Sequence, residues 1–101
     1  MDDWHLYIIE CNGGSLYTGV TLDVDRRLKE HQEQGDKCAK YLKGKAPLTL
    51  VFQECIGAKE KAFSIERLVK NSTKKNKENL VKGNISLDDF FKIKAKYANM
   101  G

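Results

Sequence analysis

The stretch LYIIECNGGSLYTGV, residues 6–20, decides the fold. Two β-rich runs, residues 5–11 and 15–20, flank Asn12-Gly13-Gly14, the kind of glycine turn that joins antiparallel strands. Side chains alternate across a strand, so Tyr7, Ile9 and Cys11 share one face while Leu6 and Ile8 share the other. A three-residue loop sets Cys11 opposite Ser15, Ile9 opposite Tyr17 and Tyr7 opposite Gly19, and both tyrosines then point to the same face. A two-residue loop would send them to opposite faces. Tyrosine is a favoured strand residue, so packing is the default reading of the pair. Gly19 opposite Tyr7 leaves space beside the ring where a ligand or another backbone could approach.

Outward from the hairpin, Asp23 can cap a helix running to about Gln34, because Val24, Leu28 and His31 follow an i, i+4, i+7 stripe and Gly35 can stop it. A basic loop, DKCAKYLKGKAP (36–47), leads through Pro47 into a third strand, LTLVFQEC (48–55). Gly57 ends that strand, residues 58–70 read as a second helix, and a short helix over 73–81 has Thr73 as its cap. A tail helix opens at Ser86 and Asp89. The order predicts an α+β fold: a small three-stranded antiparallel sheet flanked by helices, with an extra C-terminal helix.

The 101 residues suffice for one compact domain and not for two. No apolar run reaches the roughly 18–20 residues that cross a bilayer, and the N-terminal MDDWH lacks the basic and apolar regions of a signal peptide. The expected address is cytoplasmic, with no membrane partner. Cys11, Cys38 and Cys55 are odd in number and show no CxxC or Cys/His pattern, which argues against structural zinc and fits reduced thiols. The net charge is +4, and its placement is lopsided. Lys37, Lys40, Lys43 and Lys45 crowd one loop, and Lys70, Lys74, Lys75, Lys77 and Lys82 crowd a second region, whereas the first 25 residues hold no Lys or Arg. Such a field favours a nucleic-acid partner over a merely solvated surface.

The helices supply candidate chemistry. Arg27 and His31 are four apart and therefore neighbours on one face. By themselves they read as a surface pair, but an arginine fork can clamp a phosphate oxygen and a histidine can donate to it or take a proton. On the second helix Ala58, Ala62, Ile65, Leu68 and Val69 form an apolar arc with Phe63 at its edge, and Glu66 falls inside it. A half-buried carboxylate needs a partner. That partner is Lys70 one turn on, Arg27 across the fold, or a metal ion, since one carboxylate plus substrate phosphates and waters is a usual way to hold Mg²⁺.

The set HLY (5–7), YTG (17–19), Arg27 and His31 on the next helix and Glu66 on the following one resembles the GIY-YIG nuclease superfamily, most closely its small stand-alone bacterial members. The resemblance spans residues 4–82, giving a catalytic domain over 1–82, while residues 83–101 lie outside it as a helical extension expected to pack on the same domain. It implies that Tyr7 and Tyr17 line the active site, that Arg27 and His31 contact the scissile phosphate or the attacking water, and that Glu66 ligates a single divalent ion, Mg²⁺ or Mn²⁺. His5 stands where the family name has Gly, and Thr18 replaces Ile; Thr18 is expected to point away from the tyrosines. Many relatives use a late asparagine, and no spacing selects among Asn71, Asn76, Asn79 and Asn84 here. The implied activity is endonucleolytic hydrolysis of DNA, with RNA as the alternative polyanion, in DNA repair or processing.

For that chemistry a tyrosine with a pKa of about 10 is a poor base at pH 7 unless a cation lowers it. Arg27, a nearby lysine or the metal is the expected cation, either tyrosine can activate water, and His31 is the alternative base. Gly19, Lys40, Lys43, Lys45, Lys70 and Lys74 are the expected nucleic-acid contacts. A non-catalytic nucleic-acid-binding module is the competing class. It has no chemical reason to keep a carboxylate among phosphate-binding cations. A protein-interaction domain docking through Leu87, Phe90, Phe91 and Tyr97 is a third, although that face can equally cover its own core. The chain carries no recognisable sequence-reading module, so it is expected to be a monomer with weak sequence preference, its targets set by DNA structure or damage or by a protein partner.

Overall fold

The computed structural model describes residues 3–98, with side chains as far as residue 92. Strands β1 (Trp4–Glu10), β2 (Leu16–Thr21) and β3 (Thr49–Gly57) form one antiparallel sheet in the order β2-β1-β3. Helices α1 (Val24–Gln32), α2 (Lys59–Lys70), α3 (Lys74–Val81) and α4 (Leu87–Ala98) complete the α+β architecture expected from the sequence, with a short 3-10 turn at Lys40–Leu42 in the basic loop. No helix among the described residues is long and apolar enough to cross a membrane.

The hairpin takes the three-residue loop. Ile9 pairs with Tyr17 and Tyr7 with Gly19, and the main-chain N–H of Cys11 donates to Ser15 O at 2.9 Å. Gly13 and Gly14 both sit at positive φ, 93° and 92°, which is why the turn is written in glycine.

β1 lies at the centre and both of its faces are covered, so Leu6, Tyr7, Ile8 and Ile9 are all buried. Leu6 and Ile8 join Ile65 and Val69 of α2, Leu80 of α3, and Leu87 and Phe90 of α4 in one apolar cluster. Tyr7, Ile9 and Cys11 join Val24 of α1 and Cys38, Leu42 and Leu48 of the loop in a second. Each fully buried aliphatic side chain contributes about 1.5–3 kcal/mol. The sheet is thus the middle layer of three.

Both capped helix starts hold. Asp23 Oδ1 accepts from Arg26 N at 3.1 Å, and Thr73 Oγ1 accepts from Asn76 N at 3.2 Å. Ser86 Oγ likewise accepts from Asp89 N at 3.1 Å. The end of α1 differs from expectation: the helix stops at Gln32, and Gln34, with φ 60°, takes the left-handed position expected of Gly35. Its amide explains the exception. Nε2 donates to His31 O at 3.0 Å and Leu42 O at 3.1 Å, while Oε1 accepts from Gly44 N at 2.8 Å, so the strained residue is anchored on both sides. β3 runs two residues further than expected, to Gly57, and Ala58 caps α2 rather than joining its apolar face. Phe63 is exposed, its ring 5.4 Å from that of Trp4. Leu87 and Phe90 cover the core, Phe91 is exposed, and Tyr97 lies outside the described side chains.

Candidate active site

Register brings the two tyrosines together. Their ring centroids are 6.4 Å apart, and the His31 ring sits 6.0 Å from Tyr7 and 5.8 Å from Tyr17. His31 comes off α1 into this space because Val24 and Leu28 turn the same stripe toward the sheet. It is fully buried.

Both ring nitrogens of His31 are engaged. Ala39 N–H donates to Nδ1 at 3.3 Å, which makes Nδ1 an acceptor and assigns the proton of the neutral ring to Nε2. Nε2 lies 3.0 Å from the Tyr7 hydroxyl and donates to it. Burial, reinforced by Arg27, lowers the imidazole pKa to about 4, against a smaller opposing pull from Glu30. The ring is neutral and has no free lone pair with which to take a proton from water, so the alternative of His31 as base finds no support in its geometry.

Burial also pushes the Tyr7 phenol well above its usual range, and Tyr17 adds to the effect; Arg27 pulls it down but does not win. The Tyr17 phenol is raised too, again by burial first, with Arg27 opposing and Glu66 assisting. Of the three cations expected to lower a tyrosine pKa, Arg27 pulls in that direction without prevailing, because desolvation outweighs one partly buried guanidinium. Arg27 itself stays firmly cationic. Burial opposes its charge, but the hydrogen bond to Glu30, 3.0 Å from Nη1, and the nearness of Tyr7 outweigh that. The same nitrogen donates to Lys37 O at 2.7 Å.

Glu66 enters from α2, on the opposite side of the sheet, yet its charge acts on both phenols. Its side chain is 17% exposed and its ion pair is the neighbour on its own helix, Lys70, at 3.8 Å; Arg27 pairs with Glu30 instead. Among the described residues no group of three or more His, Cys, Asp or Glu is arranged to hold a metal. A single hard carboxylate with a loose, half-exposed lysine partner nonetheless fits the donor chemistry of a Mg²⁺ or Mn²⁺ whose other ligands are phosphate oxygens and waters.

The space at Gly19 is filled differently from expectation. A Cβ there would lie 2.5 Å from Tyr7 Oη and 2.6 Å from its Cζ, so the Tyr7 ring itself occupies the room assigned to a phosphate. Of the expected lysines, Lys70 lines a groove at the β2 edge with Leu16, Tyr17, Thr18, Tyr41 and Lys77. Lys45 holds its ammonium 3.2 Å from the Tyr41 ring centroid, and Lys74 reaches the hairpin turn, its Nζ 3.8 Å from the Cβ position of Gly14. Lys40 and Lys43 are exposed on the basic loop. Tyr41, stacked on Tyr17 at 5.8 Å, was not singled out by sequence reasoning. Its only signal is an aromatic residue inside a lysine-rich loop. Among the asparagines, Asn84 Nδ2 donates to Asn79 Oδ1 at 3.3 Å.

The chain is similar to known proteins over most of its length. A family model described as the GIY-YIG catalytic domain matches residues 3–79. A UPF0213 protein of Cronobacter sakazakii is 44% identical over 88 residues, covering 87% of this chain and 90% of its own. A UPF0213 protein of Haloquadratum walsbyi is 43% identical over 81 residues, covering 79% and 89%. The solution NMR structure of a UPF0213 protein from Bacillus halodurans superposes with a TM-score of 0.51 at 44% identity, over 79% of this chain and 83% of that one.

Proposed function

The chain belongs to the GIY-YIG catalytic domain family, a family of nuclease type, and from that premise we propose that it is a metal-dependent DNA endonuclease with weak sequence preference that serves DNA repair or processing. The observation that carries the proposal is the convergence of Tyr7, Tyr17 and His31 around one hairpin, with Arg27 and Glu66 acting on the same phenols from either side of the sheet.

Tyr7 is the general base in this scheme. Tyr7 acts as the phenolate: with its own proton given up to solvent, its oxygen accepts from His31 Nε2, lies in the field of Arg27, and takes the proton of the attacking water. His31 thus acts through Tyr7 and touches no substrate. Arg27 exchanges its bond to Lys37 O for a phosphate oxygen and offsets the charge that develops at phosphorus. Tyr17, less buried than Tyr7, faces the incoming strand. Glu66 would hold the metal, which when bound supplies the positive charge that a raised phenol pKa demands and stabilises the departing oxygen.

The direct test is plasmid nicking with Mg²⁺. Glu66→Ala and Arg27→Ala proteins are expected to lose about 100-fold or more of the wild-type rate while remaining folded. Full activity in either variant removes the assignment. Binding without turnover in the wild-type protein would leave the non-catalytic module.

A further inference from the structure

The groove at the β2 edge adjoins the chemistry above through Tyr17 and Lys70, and its other lining residues have no role there. It encloses about 340 Å³, at the lower end of ligand-sized pockets. It is lined by Leu16 and Thr18 of β2, by the stacked rings of Tyr17 and Tyr41, and by two cations, Lys70 and Lys77. Thr18 is the polar uncharged residue of this lining apart from the tyrosines. It is 2% exposed, and its Oγ1 has no hydrogen-bond partner among the described residues. A buried hydroxyl without a partner is costly, and a site that keeps one invites a ligand atom to supply the bond.

The strand adds further polar groups. Because Cys11 and Ser15 are hydrogen-bonded partners, the odd-numbered residues of β2 bond into β1, and the main-chain N–H and C=O of Leu16 and Thr18 point outward along the edge of the sheet. A ligand in this groove therefore meets an aromatic wall, a hydroxyl, main-chain donors and acceptors, and two ammonium groups. A nucleotide matches that set: a flat base for the ring, polar edges for the strand, and a phosphate for the lysines.

We propose that this groove is a nucleotide subsite, in which Tyr41 stacks on the base flanking the scissile phosphate, Thr18 Oγ1 bonds its edge, and Lys70 and Lys77 hold the adjoining phosphate. The proposal rests on the nucleic-acid reading of the neighbouring site and adds what selects the substrate there. Lys45 now covers the face of Tyr41. An arriving strand offers that ammonium a phosphate in exchange and frees the ring. A base within a duplex has no free face to give, so the nucleotide in the groove is an unpaired one.

The test is fluorescence anisotropy in EDTA with two labelled probes: an octathymidylate and an eight-unit abasic strand with the same backbone charge. The wild-type protein is expected to bind the octathymidylate about tenfold or more tightly than the abasic strand. Tyr41→Ala should abolish the preference, Tyr41→Phe should keep it, and Thr18→Val should weaken octathymidylate binding several-fold without lowering Tm. Equal binding of both probes by the wild type, or equal weakening of both by Tyr41→Ala, overturns the subsite and leaves the nucleic-acid reading standing. Failure to bind either strand at low salt overturns both.

Discussion

On one face of β1, Leu6 and Ile8 meet the aliphatic side chains of α2, α3 and α4. One residue away along the same strand, Tyr7 meets His31, Tyr17 and the charge of Arg27. The first face is dry packing whose partners are interchangeable by volume. On the second, the Tyr7 hydroxyl and both ring nitrogens of His31 are committed to particular partners. Apart from Glu66, which reaches the phenols from the α2 side, the central strand thus divides the packed core from the candidate site, and the two should fail in different ways when mutated.

The sharpest way to break that separation is Tyr7→Phe. It keeps the ring that fills the space over Gly19 and removes only the hydroxyl, so plasmid nicking is expected to fall about 10²- to 10⁴-fold while the melting curve moves little. Ile8→Ala is the counterpart on the dry face. Its cost is about 2–5 kcal/mol, read by denaturant melting, with the molecules that stay folded retaining their nicking rate.

Acid sharpens the same contrast. Native His31 titrates at about 4, below its ordinary value of about 6.5, so between these pH values the unfolded chain binds a proton that the native one refuses. Stability is expected to be full above pH 6.5 and to fall as pH drops toward 4, by about 1.4 kcal/mol for each unit of displacement. Urea titrations across that range should show the slope, and a His31→Gln protein should lack it. The smallest effect expected is that of Gly19→Ala. The added methyl would lie against the Tyr7 hydroxyl and cost about 1–3 kcal/mol, with a loss of nicking larger than the loss of stability.

Much of this was legible in the sequence because it depends on counting. The three-residue turn and the alternation of a strand put Tyr7 and Tyr17 on one face, and helical spacing turned Arg27 and His31 toward it. What escaped depends on the path of the basic loop, for which no periodicity exists. Tyr41 reaches Tyr17 only because that loop folds back over the hairpin, and Asn12 N–H donating to Lys45 O at 2.9 Å is one of the bonds that bring it there. Gln34 could not be preferred over Gly35 as the helix stop, since its left-handed backbone is held by carbonyls and an amide of the same loop. The balance at the phenols was out of reach for a related reason. Counting charges finds Arg27, whereas the depth of burial that outweighs it belongs to the packed core.

The basic loop is tied to α1 and the turn that ends it at three places: Lys37 O to Arg27, Ala39 N–H to His31, and Leu42 and Gly44 to Gln34. Its lysines are therefore no independent handle that evolution or an engineer can strengthen by itself. A change that improves grip on the substrate by shifting this segment also displaces the histidine behind Tyr7 and the arginine beside it. For a nuclease of the kind proposed, affinity and turnover are then traits inherited together, and variants selected for tighter binding alone should be slower.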